Sequence, residues 1–495
     1  MVTVCMTASG GYDGKGHVVV LGAGVCGLYA ALELTTAGVP VTLVEKGEVP
    51  GGLAAGFKLG ENYYDLGVHM LHGFDRAIRD RVRGLMGEES IEVELDAKIR
   101  WFGKDFRYPL QFRDMLSGIP PLELTRCVTG LFVAEMRNRL KRVEPADAEE
   151  ALIQLYGRPL YDYFFREFTA RYWGTGPDRL SASFVKTKMP RLLIRDAVLN
   201  AMRKIGLGRE RDFGVPSALA AETLYYSRSG AEAMPRFLAN AVREAGGEVL
   251  LGHEVRGLEV LDDRGECRVT MSSRAGETIR RRGVRCLSTL PLPGLIGILD
   301  PAPPADVLDA ARRLEYRPIV VYGLLVRKPR AFDALYVYFR DRMFHRVGEP
   351  KNAGMKVFPA DHTVLIVEMT CDVGDGRWTG DPETIARLRQ ELEDEGVCSP
   401  DEIVEQHILR CAEGYPIFAL GFERHLDTLR SYLDGLELLV STGRQGGFCY
   451  PNMHGAMRMG ADAAGRILGQ LEGAAGHAPA ASRAPGTVSG RSAAG

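Results

Sequence analysis

Gly22-Ala23-Gly24-Val25-Cys26-Gly27 is a GxGxxG run, and a carboxylate, Glu45, follows it at the spacing of a ribose ligand. The chemistry such residues support is the holding of a dinucleotide. Gly22 permits the tight turn, Gly24 lets backbone approach a pyrophosphate, and Gly27 lets the next helix pack on its strand. That helix presents free N–H groups and its positive end to the phosphates. Glu45 suits ribose hydroxyls and repels a 2′-phosphate. A second such stretch closes the chain, "LLVSTGRQGGFCYPNMHGAMRMGADAAGRIL", from Leu438 to Leu468. There Gly443 frees the backbone to pass a pyrophosphate, and Arg444 can offset phosphate charge. A helix opening near Asn452 to His454 aims N–H groups at negative charge. Its Gly455, Ala456, Gly460, Ala463 and Ala464 permit close approach. His69 and His72 are three apart, but no Cys or acidic cluster accompanies them, so no metal is expected.

These residues need elements to hold them. Val18 to Leu21 is a short apolar run of the buried-strand type. Leu28, Ala31, Leu32 and Thr35 recur at helical spacing, and Gly38 is a plausible stop. Val41 to Val44 is a second strand that delivers Glu45. Leu438 to Thr442 is the last strand of the same sheet. The two halves of one site are therefore about 400 residues apart, and what lies between must be inserted and return to the same sheet. Residues 247 to 295 alternate apolar and polar, with turns at "DDRG" and "RAGE". Phe74 to Ser227 reads as mixed and largely helical; Arg317 to Cys411 reads as β-rich, with "IVVYGLLV", "ALYVYF" and "TVLIVEM". The expected division is a flexible start (1–16), a nucleotide domain in three parts (17–73, 228–314 and 416–472), a mostly helical cap (74–227), a β-rich substrate part (315–415) and a disordered tail (473–495). The expected fold is α/β: a doubly wound dinucleotide domain with a discontinuous α+β substrate domain.

Composition narrows the classes. The chain has 495 residues, 45% hydrophobic and 25% charged, with a formal net charge of -2. Two or three domains fit that length. The charge balance gives no reason to expect nucleic acid or an anionic membrane. The nine cysteines are scattered without a CxxC pair, as in a reduced cytoplasmic protein rather than a zinc or dithiol one. "MVTVCMTASGGYDGKG" lacks the basic start and apolar core of a signal peptide. The most apolar stretch is broken by Gly22, Gly24 and Gly27, so no integral membrane segment is expected.

"VPGGLAAGFKLGENYYDLGVHMLHG", together with the two end motifs, resembles the FAD-binding superfamily of amine oxidases, protoporphyrinogen oxidases, phytoene desaturases and UDP-galactopyranose mutases. The resemblance covers about Gly16 to Leu471 and implies FAD as cofactor. It places Gly52 and Leu53 along the dinucleotide and Val255 against the adenine. Val68 and His69 would run beneath the flavin, with Val68 where the family usually has glycine. Asn452 and Met453 would meet the flavin's carbonyl edge. "KIRWFGKDFRYPLQ", "FREFTARYWGTGPDRLS", "LYVYFRDRMFHRVG" and "GYPIF" resemble the mutase branch. By that likeness Tyr338, Arg346 and Tyr450 face a substrate diphosphate, and Lys188 falls near the mutases' second arginine. With His69 they form the candidate catalytic set. The implied activity is hydride removal from a small molecule by FAD; the alternative is mutase-like isomerisation of a nucleotide sugar. Oligomeric state has no sequence signature here.

Overall fold

In the computed structural model, residues 16–101, 103–108, 119–140, 143–188 and 223–476 are described. The expected flexible start and most of the expected tail, 1–15 and 477–495, lie outside them, as does the Lys188 side chain. Val18–Leu21 is a strand with all four residues buried, because both faces of a parallel sheet are covered. Val18 and Val20 pack on one side with the helices, while Val19 and Leu21 pack on the other with Leu258 and Val269. The sheet has five parallel strands in the spatial order Glu248–Leu250, Val41–Val44, Val18–Leu21, Arg285–Ser288 and Leu439–Ser441. The first strand of the chain is thus central and the last lies at an edge.

The helix Val25–Thr36 joins the first two strands. Against it lies the C-terminal helix Met453–Gly476. Small residues set that approach: a Cβ added to Gly460 would stand 2.3 Å from the Cys26 carbonyl oxygen. The helix continues to Gly476, into the stretch expected to be tail. Ala474 and Ala475 follow Gly473 there, and alanine favours helix. The other face of the sheet carries an antiparallel meander, Thr278–Gly283, Glu266–Ser273 and His253–Leu261, with a bulge between Val255 and Gly257.

A second, seven-stranded sheet stands over the first. Its order is Ile403–Pro416, Tyr316–Val326, Thr363–Thr370, Arg346–Gly348, Tyr336–Phe339, Ala97–Trp101 and Lys104–Tyr108. The last two strands come from the segment expected to be largely helical. They pair antiparallel around a turn at Gly103, whose φ of 70° suits glycine. The same segment does supply helices, among them Pro121–Leu140, Ala148–Tyr156 and Arg166–Trp173.

Candidate active site between the two sheets

A cavity of about 1210 Å³ lies where the carboxyl ends of the parallel strands face the seven-stranded sheet. Ligands of open α/β sheets bind in such crevices. Gly22, Gly24, Glu45, Gly52, Leu53, Val255, Asn452 and Met453 line it, as do Val68, His69, Tyr338, Arg346, Arg444 and Tyr450. Two expected cofactor residues do not. Gly27 acts by packing, since a Cβ there would sit 2.0 Å from the Gly22 carbonyl oxygen. Gly443 adopts φ 83° beside Cys26, whose sulfur would lie 2.9 Å from an added Cβ.

The dinucleotide end is built from backbone. Gly22 has φ 95°, and a Cβ on Gly24 would meet open space. The helix that starts after Gly24 has no side-chain cap and no acidic residue in its first turn. Its N–H groups therefore remain available to an anion in the cavity. Glu45 accepts N–H bonds from Ala23 and Gly47, both at 2.8 Å. Those bonds fix the carboxylate at the rim and leave further lone pairs for hydroxyl donors. Gly51 closes the rim by donating to the Ala23 carbonyl at 2.8 Å. An uncapped helix end, an open glycine and a fixed carboxylate are the donor and acceptor set that a dinucleotide requires.

The opposite end is a polar chamber. Val68 turns its side chain into a gap at Gly348, where an added Cβ would lie 2.2 Å from Val68 Cγ2. That gap is how the chain accommodates valine in place of the glycine usual in the resembling family. His69 is half-buried at the cavity wall, and desolvation, outweighing Glu368, lowers its pKa to about 4, so the ring is neutral near pH 7. Arg346, expected to face a diphosphate, lines the cavity and is also tied to Glu368. Its Nε and Nη2 donate to Glu368 at 2.9 and 2.7 Å. Burial pushes the Glu368 carboxyl up, but Arg346 and then His345 outweigh it and hold it well below the usual range. The Arg346 guanidinium also lies over the rings of Tyr336 and Tyr338, 5.3 and 5.7 Å from their centroids. Arg444 lines the cavity too. Its guanidinium packs against Tyr415 and Tyr450, 5.1 and 4.7 Å from the centroids, and donates to the Gly414 carbonyl at 3.4 Å. Tyr172 adds an edge contact to His345 at 4.7 Å.

Glu368, His345, Tyr172, Tyr336 and Tyr415 were not expected from the sequence. Glu368 alone carried a signal: it is the one charge in "TVLIVEMT", an otherwise uncharged run. A charge inside such a strand needs a buried partner. Among the described residues no group of three or more His, Cys, Asp or Glu is placed to hold a metal ion. No described helix is long and apolar enough to cross a membrane.

Residues 25–359, more than half of the chain, match the flavin containing amine oxidoreductase family. The chain belongs to that family. Its cofactor is a flavin, and the dinucleotide cradle from Gly22 to Glu45 makes that flavin FAD. The fold is also that of a reduced UDP-galactopyranose mutase crystal structure, with 20% identity, a TM-score of 0.75, and 92% of this chain and 94% of that one covered. A phytoene dehydrogenase of Streptomyces griseus is 27% identical over 262 residues, half of each chain. A zeta-carotene-forming phytoene desaturase of Myxococcus xanthus is 25% identical over 360 residues, 66% of this chain and 63% of that one. The matches thus span from half to under two-thirds of the length of these relatives.

Proposed function

We propose that this oxidoreductase removes a hydride from a polar, hydroxyl-bearing small molecule, such as a sugar derivative, with FAD as acceptor. One observation carries the reading: a single cavity joins the dinucleotide cradle to a chamber lined by Arg346, His345, Arg444 and several tyrosines. FAD, when bound, supplies the hydride-accepting chemistry. The chain's own residues bind and orient. The neutral His69 and His345 place no additional cation beside the reacting group. Arg346, fixed by Glu368, still offers the N–H groups that Glu368 does not take. The tyrosines of the chamber give aromatic faces against which a substrate ring can pack and hydroxyls that can meet its polar groups. Loss of hydride from a C–H bond needs no strong protein base, and none is assigned. The relatives named as dehydrogenase and desaturase support the class of reaction.

Anaerobic incubation with candidate polyols, sugars and nucleotide sugars, followed at the flavin absorbance, tests this. Bleaching by one of them is the expected result, and no bleaching by any polar substrate overturns it. The alternative reading is a mutase-like isomerase, favoured by the two arginines in the chamber, which suit a diphosphate. It predicts turnover of a nucleotide sugar only after chemical reduction of the protein. It also predicts protection against heat by UDP, through mass action on the folded state.

A further inference from the structure

Every residue of the strand Thr363–Thr370 is buried, and Glu368 is its one charged side chain. A carboxylate in such a place must be compensated from several sides. Here the compensation has two origins. Arg346, directly opposite on the neighbouring strand, forks onto both carboxylate oxygens. The backbone N–H of Val68, from a different part of the chain, donates to Oε1 at 2.8 Å. That same Oε1 accepts from Arg346 Nε, so one oxygen joins a loop of the cavity to an arginine of the chamber. Strand register sets the row further: Tyr338 pairs with Arg346, and Arg346 with Glu368. His345 completes the group, its Nε2 3.7 Å from Glu368 Oε2. Of Arg346, Glu368, His345 and His69, the residue after Val68, Arg346 carries a positive charge and Glu368 a negative one. Both histidines are held neutral near pH 7, chiefly by burial. The cluster therefore has no net charge.

We infer that Glu368 is a positioning residue for the flavin face: it ties the Val68–His69 loop to Arg346 and cancels the arginine's charge there. The inference rests on the proposed function's FAD and on its lying against that loop, as the family resemblance implies, and not on which substrate is oxidised. A carboxylate that merely filled a gap in the strand would not need three donors from two elements. A charge that was not compensated would change the electrostatic energy of adding electrons nearby.

The test is the flavin midpoint potential of the purified, FAD-loaded protein, measured by anaerobic dye equilibration at one alkaline pH. Glu368→Gln keeps the side chain's size but leaves Arg346 uncompensated, so the potential should rise. Arg346→Gln leaves an anion instead, so the potential should fall. The double variant restores neutrality and should return close to the parent. A purely structural role would loosen the site in both single variants and cannot give shifts of opposite sign. Either single variant that folds decides the matter alone. Glu368→Gln with parental FAD content and an unchanged or lowered potential overturns the inference, as does Arg346→Gln with an unchanged or raised one. Substrate bleaching is independent of this readout. Signed shifts without bleaching leave the inference standing and remove the proposed reaction; bleaching without signed shifts does the reverse.

Discussion

Gly24 and Gly27 are three residues apart and are intolerant of side chains for opposite reasons. At Gly24 the fold has room, and only the cofactor needs the space. Gly24→Val is expected to leave the melting point of the FAD-free protein near the parent while abolishing yellow colour. At Gly27 a Cβ would collide with backbone at 2.0 Å. Gly27→Ala should cost about 1–3 kcal/mol of stability, the range for overpacking, as well as FAD, and calorimetry of the FAD-free forms separates the two. A third residue, Asp65, predicts a pH dependence. It accepts from the Tyr226 hydroxyl and, at 2.9 Å, from Ala231 N–H, yet burial outweighs these bonds and raises its pKa to about 7. The folded protein thus binds a proton that the unfolded chain releases near pH 4. The stability from this proton is fully present below about pH 4 and is lost as pH rises toward 7. Asp65→Asn should therefore flatten the fall in melting point between about pH 4 and 7; a parental slope in that variant would show that another group is responsible.

At the scale of elements, the loop under the cavity and the seven-stranded sheet are matched in shape. Val68 fills the space that Gly348 leaves. Gly348→Ala should push the loop into the cavity and weaken FAD retention at a cost of about 1–3 kcal/mol. Val68→Gly in the same chain should restore it. Titration of FAD into both variants measures this, and failure of the second change to rescue the first would separate the loop from the sheet. This pairing also shows what the sequence could and could not disclose. Val18–Leu21, Val41–Val44 and Glu45 were legible because a dinucleotide cradle demands glycines and an acid at fixed offsets. The last strand and the helix from Met453 were legible for the same reason. Val68 could be seen as a departure, but its compensation lies 280 residues away in Gly348, and nothing local marks that glycine as a partner. Arg346 was singled out by likeness to the mutases, but its partner Glu368 was not. Its tie to Glu368 depends on strand register, which alternation alone does not specify between two apolar strands. The strands Ala97–Trp101 and Lys104–Tyr108 were assigned to a helical region because they are only five residues each, lack a clear alternation of buried and exposed positions, and precede long helices.

Across the whole molecule, the FAD site draws on both ends of the chain. Gly460 does not line the cavity, yet it sets how closely Met453–Gly476 meets Val25–Thr36. Gly460→Leu is expected to lower FAD affinity at a distance. FAD at about a hundred times its dissociation constant should stabilise the parent by about 2.7 kcal/mol. Thermal shift with and without FAD checks both, and an undiminished shift in the variant would show that the two helices need not meet so closely. The strand order has one more consequence. Leu439–Ser441 pairs with Arg285–Ser288, and it is made after every other strand of that sheet. At about 5–20 residues per second, the roughly 400 residues between Glu45 and that strand take about 20–80 s to make. Throughout that interval the face of Val25–Thr36 that will meet the C-terminal helix stays uncovered, and the cradle stays half built. A chain caught before that strand emerges therefore exposes an apolar helix face and cannot hold its cofactor, so flavin supply can rescue only molecules in which both halves of the cradle have been made.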